Sequence, residues 1–200
     1  MSVASSETDT RERILQTARQ IIVHRGYAAS GLTEVLKEAD VPKGSFYHYF
    51  PSKDAFGVAL LRRYFDDYLT TMNRIIADRS KNGAERTMAY WQWFYDVQTS
   101  DDCQGQCLVV KLAAEVSDLS EAMRLQLQEG TSQIIDHIET LIASGIEDGS
   151  ISADAVDTNE RDLAQSLYDS WLGASVLAKV ERAPGPLDRA MRGTRRLLLP

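Results

Sequence analysis

Pro42 and Pro51 bracket a segment, Val41-Pro42-Lys43-Gly44-Ser45-Phe46-Tyr47-His48-Tyr49-Phe50-Pro51, that leaves the chain room for only one very short helix. Proline fits the first turn of a helix, where its missing N–H costs nothing, and the residue before a proline avoids helical angles. A helix that opens at Pro42 therefore closes before Pro51. Within it Phe46 and Phe50 share one face by i,i+4 spacing, and Lys43, Ser45, Tyr47 and His48 turn mainly to the other side. Just upstream, Leu32, Val35, Leu36 and Ala39 recur at 3,4 spacing and mark a second short helix, with Asp40-Val41 as the turn between the two. Two short helices joined by a tight turn are a helix-turn-helix, whose second helix enters the DNA major groove.

The rest of the chain keeps helix-period patterning throughout, so the fold class is all-α, with about nine helices. Thr10 caps a first helix in which Ile14, Ala18, Ile21 and Ile22 recur, and Arg25-Gly26 supplies a cation in the last turn and a stop. Residues 1–9 read as a disordered tail, 10–51 as the DNA-binding domain, and 52–200 as a regulatory and dimerisation domain. Ser52 caps a fourth helix whose Phe56, Leu60, Leu61, Tyr64, Phe65 and Tyr68 form one stripe, the expected lever between the two parts. An aromatic helix follows, with Tyr90, Trp91, Trp93, Phe94 and Tyr95. The run from Cys107 to Val116 could be a strand by composition, but nothing nearby offers a partner strand, so it reads as a buried helix. Met123, Leu127, Ile134, Ile138, Leu141 and Ile142 mark a long amphipathic helix ending near Gly145 to Gly149, and a loop runs from Gly149 to Asp157. Leu163, Leu167, Trp171, Ala174 and Ala178 share one face of the next helix, and Pro184-Gly185-Pro186 separates it from a short last one.

Charge narrows the function. A net charge of −7 and a pI near 5.0 exclude a general polyanion binder, which would carry a basic surface overall. Residues 1–63 nonetheless hold nine Lys and Arg against seven Asp and Glu, leaving 13 against 22 for the remainder. A mildly basic head on an acidic body would turn the head toward DNA. The first nine residues contain no basic cluster or apolar run, and no later apolar stretch nears the roughly 20 residues of a membrane span, so the expected place of work is the cytoplasm. Cys103 and Cys107 make a poor disulfide framework and lack zinc-ligand companions, which leaves them as free thiols. His24, His48 and His137 stand outside metal-ligand spacing, and Lys43-Gly44-Ser45 lacks the earlier glycine and strand of a phosphate-binding loop, so no metal or cofactor is expected.

The run from about Arg11 to Phe65, above all Val41 through Phe50 with Pro51-Ser52-Lys53, resembles the DNA-binding domain of the TetR family of bacterial transcriptional repressors. The resemblance implies a double-stranded DNA operator as partner. In such a motif Lys43 and Lys53 become phosphate or guanine contacts, where elsewhere they would read as solvated lysines. Ser45, Tyr47 and His48 are the groups placed for base edges, with Gly44 and Thr33 completing the expected contact set. Many family members carry Thr or Ser at the start of the second helix, whereas Gly31 stands here; its N–H can still serve a phosphate, and Ser30 or Thr33 can substitute for the side chain. The family further implies a homodimer, in which the last two helices pair with those of a second subunit. The small Gly173, Ala174, Ser175 and Ala178 allow close approach, and the interface is expected at Leu167, Trp171, Ala174 and Ala178; the plainer alternative is that the small residues pack inside one subunit.

Cys107 is the body's most informative residue. In a helix, Lys111 would sit one turn after it and Cys103 one turn before, and a cation beside a thiol enriches the reactive thiolate. The plainer alternative is a small buried apolar residue. The stretch Gly105 to Arg124, with Trp171 to Lys179, resembles the N-ethylmaleimide-responsive repressor subgroup, which senses electrophiles and reactive chlorine species through a cysteine and a lysine. That resemblance implies Cys107 as the sensing thiol and Lys179 as its amine partner, while spacing alone keeps Lys111 open. An oxidant would give a sulfenic species, and an electrophilic alkene or quinone a covalent adduct. Either is expected to alter a core helix, shift the fourth helix and release DNA. Trp91, Phe94, Tyr95, Tyr168 and Trp171 alternatively line a pocket for a reversible apolar ligand, or are simply core. A thiol enzyme would need a His or Asn placed as its base, and no recognised motif supplies one, so no turnover is expected.

Overall fold

The structure, a computed structural model, describes residues 3–103, 105, 107–156 and 158–199, with side chains from residue 9 onward. Met1 and Ser2 of the expected tail, Gln106 of the thiol motif and Asp157 of the expected loop lie outside the described residues. Nine α-helices account for the described chain, which contains no strand: α1 (Val3–Arg25), α2 (Leu32–Glu38), α3 (Lys43–Tyr49), α4 (Lys53–Ala77), α5 (Gly83–Cys103), α6 (Leu108–Leu119), α7 (Glu121–Glu147), α8 (Glu160–Glu181) and α9 (Gly185–Leu198). None of them is long and apolar enough to cross a membrane.

Two boundaries differ from the sequence reading. α1 begins at Val3 rather than at Thr10, because no glycine or proline interrupts residues 3–9 and the helix continues through them. The compact units also ignore the expected border after residue 51: one combines the chain through Asp66 with Lys111–Glu129, and the other combines Asp67–Val110 with the chain from Gly130.

The first unit holds the helix-turn-helix. Ile14, Leu15, Ala18 and Ile22 of α1, Val35 and Leu36 of α2, Phe46 of α3, and Phe56, Leu60 and Leu61 of α4 are all buried. α1 stops where expected: Gly26, at φ +88°, bonds back to the Ile22 carbonyl at 2.8 Å. Asp40 makes the turn at φ +52°, a left-handed conformation that aspartate tolerates better than most residues. Ser52 caps α4 by accepting from the Ala55 N–H at 3.0 Å. Gly57 of α4 admits its neighbours closely, since a Cβ there would fall 2.7 Å from the Tyr27 hydroxyl and against Met123 of α7.

The second unit is built on α5, α8 and α9, which pack on one another, with the later parts of α4 and α7. Tyr90, Trp91 and Phe94 meet Tyr168 and Trp171 in the core, closed by Leu187, Met191 and Leu198 of α9. Asn159 caps α8 by accepting from the Asp162 N–H at 2.9 Å.

Candidate nucleic-acid interface and buried thiols

A seven-residue helix cannot hold its own shape, so α3 depends on what lies beneath it. Phe46 is fully buried and forms a three-ring cluster with Phe50 at 5.3 Å and Phe56 at 5.6 Å, the latter two being 5.2 Å apart. The Arg11 guanidinium covers the Phe50 ring at 5.3 Å. On the opposite side Lys43, Gly44, Tyr47 and His48 are exposed, and Ser45 is half-buried. Tyr47 keeps 64% of its surface in solvent, which is unusual for an aromatic without a partner to cover it.

The flanking contacts are more divided. Thr33 is exposed on α2 and available to a phosphate. Ser30 is buried and donates to the Gly26 carbonyl at 2.5 Å, so it closes the end of α1 and is not placed for DNA. Gly31 precedes α2 in an extended conformation with no side-chain cap. The Lys53 ammonium lies 4.9 Å over the Tyr27 ring, and the Tyr27 hydroxyl donates to the Lys53 carbonyl at 2.5 Å.

The same unit contains a brace that the sequence did not announce. Glu115 of α6 accepts from the Tyr27 N–H at 3.1 Å and from the Ala28 N–H, the two amides after Gly26. Lys111, one turn earlier on α6, donates to the His24 carbonyl at 3.0 Å. One acid and one base on a single helix face thus hold both polarities of the α1 terminus. The i,i+4 spacing of Lys111 and Glu115 was the available signal; their partner lies about 90 residues away.

Cys107 immediately precedes α6, outside the helix, so the helical spacing expected between it and Lys111 does not apply. It is 5% exposed. It lies near the phenols of Tyr90 and Tyr168, both held well above the ordinary tyrosine range, first by burial and further by the charge a Cys107 thiolate would carry. Tyr90 and Tyr68 share a buried hydroxyl–hydroxyl bond of 2.9 Å. Cys103 is also buried, at the end of α5 beyond a kink that starts at Ser100, and Asp101, Asp102 and Cys103 all have φ between +51° and +59°, a costly run for residues with a Cβ. Burial pushes its thiol above the ordinary value of 9.0, with Asp102 and Asp188 adding to the effect. Lys179, half-buried, follows Trp171 and Ser175 along one i,i+4 row of α8.

The five aromatic residues offered as a pocket separate into two groups. Trp91 and Trp171 stack at 5.0 Å, Phe94 meets Trp171 edge-on at 5.6 Å, and Tyr168 is buried with them. Tyr95 instead donates to Asp188 of α9 at 2.8 Å and lines a groove of about 310 Å³ with Gln92, Met191, Arg192 and Arg195. Two donors in this core have no partner among the described residues, Trp91 Nε1 and Gln98 Nε2, whereas the Trp171 indole donates to Thr194 at 2.9 Å. Gln98 continues the row Tyr90, Phe94, Gln98; a polar residue in an apolar stripe was the signal that could have singled it out.

The expected dimer residues take another place. Leu167, Trp171 and Ala178 are buried against the subunit's own α5 and α9, and Ala174 is half-buried. α8 has a second face, on which Gly173, Val176, Leu177 and Val180 are exposed, Val180 by 76%.

Comparison with known proteins reaches both units. Residues 14–60 match the family model described as bacterial regulatory proteins, tetR family, and residues 83–194 match the tetracyclin repressor-like C-terminal domain. The chain is 38% identical to the HTH-type transcriptional repressor NemR of Escherichia coli K12 over 193 residues, 96% of each chain. It is 33% identical to the HTH-type transcriptional repressor DhaR of a Mycobacterium species over 98% of this chain and 95% of the other. The crystal structure of E. coli NemR, described as the reduced form, superposes with a TM-score of 0.88 at 39% identity, covering 95% of this chain and 97% of that one.

Proposed function

The chain belongs to the TetR family of transcriptional repressors, and from that premise we propose that it binds a two-fold operator as a homodimer and is released when Cys107 reacts with an electrophile or oxidant. TetR regulators bind DNA operators and function as dimers. Here the observation that carries the DNA reading is the two-sided α3, with Phe46 and Phe50 anchored and Lys43, Tyr47 and His48 displayed. Lys43 and Lys53 supply salt-dependent affinity, and Ser45, Tyr47 and His48 reach base edges. The second subunit covers the exposed row Gly173, Val176, Leu177 and Val180, since small and apolar residues together permit close helix approach.

The thiol reading draws on three supports. The motifs around Cys107 and Lys179 resemble the electrophile-responsive subgroup, the similar NemR structure is described by its redox state, and Cys107 directly precedes the helix that braces the DNA-binding unit. An adduct on a sulfur only 5% exposed cannot be accommodated without movement, and Leu108 is the first residue to feel it. A shift of α6 withdraws Glu115 from Tyr27 and Ala28 and Lys111 from His24, loosening the end of α1. The protein works in the cytoplasm, without turnover.

Mobility shift on the DNA upstream of its own coding region, before and after a quinone or hypochlorite, tests the reading. The band is expected to disappear on treatment, and to survive it in Cys107→Ser. Release that persists in Cys107→Ser sinks the thiol switch, and release that dilution alone reverses points to a reversible ligand in the aromatic core.

A further inference from the structure

We propose that the seam between α5 and α9 binds a small amphipathic carboxylate, an aliphatic chain with one charged head, and that Arg192 and Arg195 hold the head. The two arginines follow Asp188 at i+4 and i+7 and so share one edge of α9. That edge and α5 enclose a groove of about 310 Å³, with Gln92, Tyr95, Asp188 and Met191 as its other walls. Both guanidiniums are exposed, and neither forms an ion pair among the described residues. The neighbouring acids are engaged elsewhere: Asp188 accepts from the Tyr95 hydroxyl at 2.8 Å, and Asp96 from the Gln92 amide at 2.9 Å. Like charges three residues apart on a helix repel. Residues 64–200 hold 22 acids against 13 bases, so counter-charge is plentiful in this body, yet none is placed on this pair. Arg195 also borders the next groove along the seam, of about 480 Å³, where Ala84, Met88 and Leu199 form apolar wall. The acid bordering that groove, Glu85, accepts from the Asn82 N–H at 2.9 Å.

The two grooves ask for one kind of ligand. A guanidinium fork matches the two oxygens of a carboxylate, and arginines without an acid partner keep their forks free for that contact. Past Arg195, Met88 and Leu199 take an aliphatic chain out of water, which adds affinity with each methylene covered. The Tyr95–Asp188 hydrogen bond closes the opposite end, so the chain runs from the arginines toward Leu199. Neither Trp91 nor Trp171 borders these grooves, which sets the site apart from the stacked aromatic core. The other two arginines of α9 provide an internal control. Arg189 and Arg196 lie with Gly193 on a different side of the helix and border neither groove.

The test is titration calorimetry on the full-length protein with octanoate, 1-octanol and acetate, which supply the whole ligand, the chain alone and the head alone. Octanoate is expected to bind at least about ten-fold more tightly than either, the worth of one hydrogen bond to a charged group. Arg192→Gln combined with Arg195→Gln is expected to erase its advantage over 1-octanol. Arg189→Gln combined with Arg196→Gln changes the net charge equally and is expected to keep octanoate within about two-fold, since charges outside the site act through solvent. Equal weakening in both pairs would reduce the effect to overall charge. 1-Octanol binding as tightly as octanoate would put the chain elsewhere, and no octanoate binding would leave the arginines merely solvated; each of these results overturns the proposal. Arg195→Gln alone decides the question if the double variant fails to fold. Octanoate has no electrophilic centre, so the outcome is independent of the thiol reading.

Discussion

α3 and α8 both expose apolar surface, Tyr47 at 64% and Val180 at 76%, yet they do so for different reasons. α3 has one apolar side, Phe46 continued by Phe50 just after its end, while Lys43, Gly44, Tyr47 and His48 face outward. α8 has two: Leu167, Trp171 and Ala178 turn into the subunit, while Gly173, Val176, Leu177 and Val180 turn away. A helix with a single apolar side orients itself. A helix with two needs its neighbours to decide which is core, and α5 and α9 settle that for α8 by burying Trp171 completely.

The comparison can be broken most forcefully at its anchored side. Phe46→Ala removes the centre of the three-ring cluster and should cost about 3–5 kcal/mol, with the operator complex lost at ordinary temperature. Chemical denaturation together with mobility shift checks both effects. On α8 the inward and outward faces should respond oppositely to charge. Val180→Asp should leave the monomer fold nearly unchanged, within about 0.5 kcal/mol, but dissociate the dimer in sedimentation. A Val180→Asp protein that stays dimeric would place the interface elsewhere. On the exposed side of α3, Lys43→Gln should leave stability unchanged and reduce the salt slope of operator binding by about 0.9 for each phosphate that Lys43 had neutralised. An unchanged slope would show Lys43 to be a solvated lysine.

The smallest effect concerns the second thiol. Burial and the nearby carboxylates of Asp102 and Asp188 raise Cys103 above its ordinary 9.0, so folding favours the neutral thiol. Its contribution is present below pH 9.0 and lost as pH rises through the folded-state value. In Cys107→Ser, alkylation of Cys103 should therefore still be accelerating above pH 9.0; a plateau below it would contradict the burial seen here.

The helix-turn-helix was legible because its information is local. Two prolines, a 3,4 repeat and an i,i+4 phenylalanine pair all act within a few residues, and the structure keeps the helices they define. The surroundings of that motif were less so: Ser30 looked like a substitute for the missing cap at Gly31, but its hydroxyl is held by Gly26. Glu115 gave no sign beyond its i,i+4 spacing from Lys111, since its partners Tyr27 and Ala28 are main-chain amides, which every residue but proline possesses. Cys107 was singled out by its motif, while its exclusion from α6 and its phenolic neighbours emerged only when the chain was folded.

By itself, then, the sequence determined what short-range sterics and helical periodicity can determine: an all-α chain, the position of the DNA-binding turn, and which side of α3 is anchored. Tertiary structure alone decided which face of α8 is core, which acid braces α1, and which donors in the aromatic core stay unpaired among the described residues. The physical reason is common to all three. Each depends on the partner a side chain meets across the core, and burial is a property of that meeting rather than of the residue.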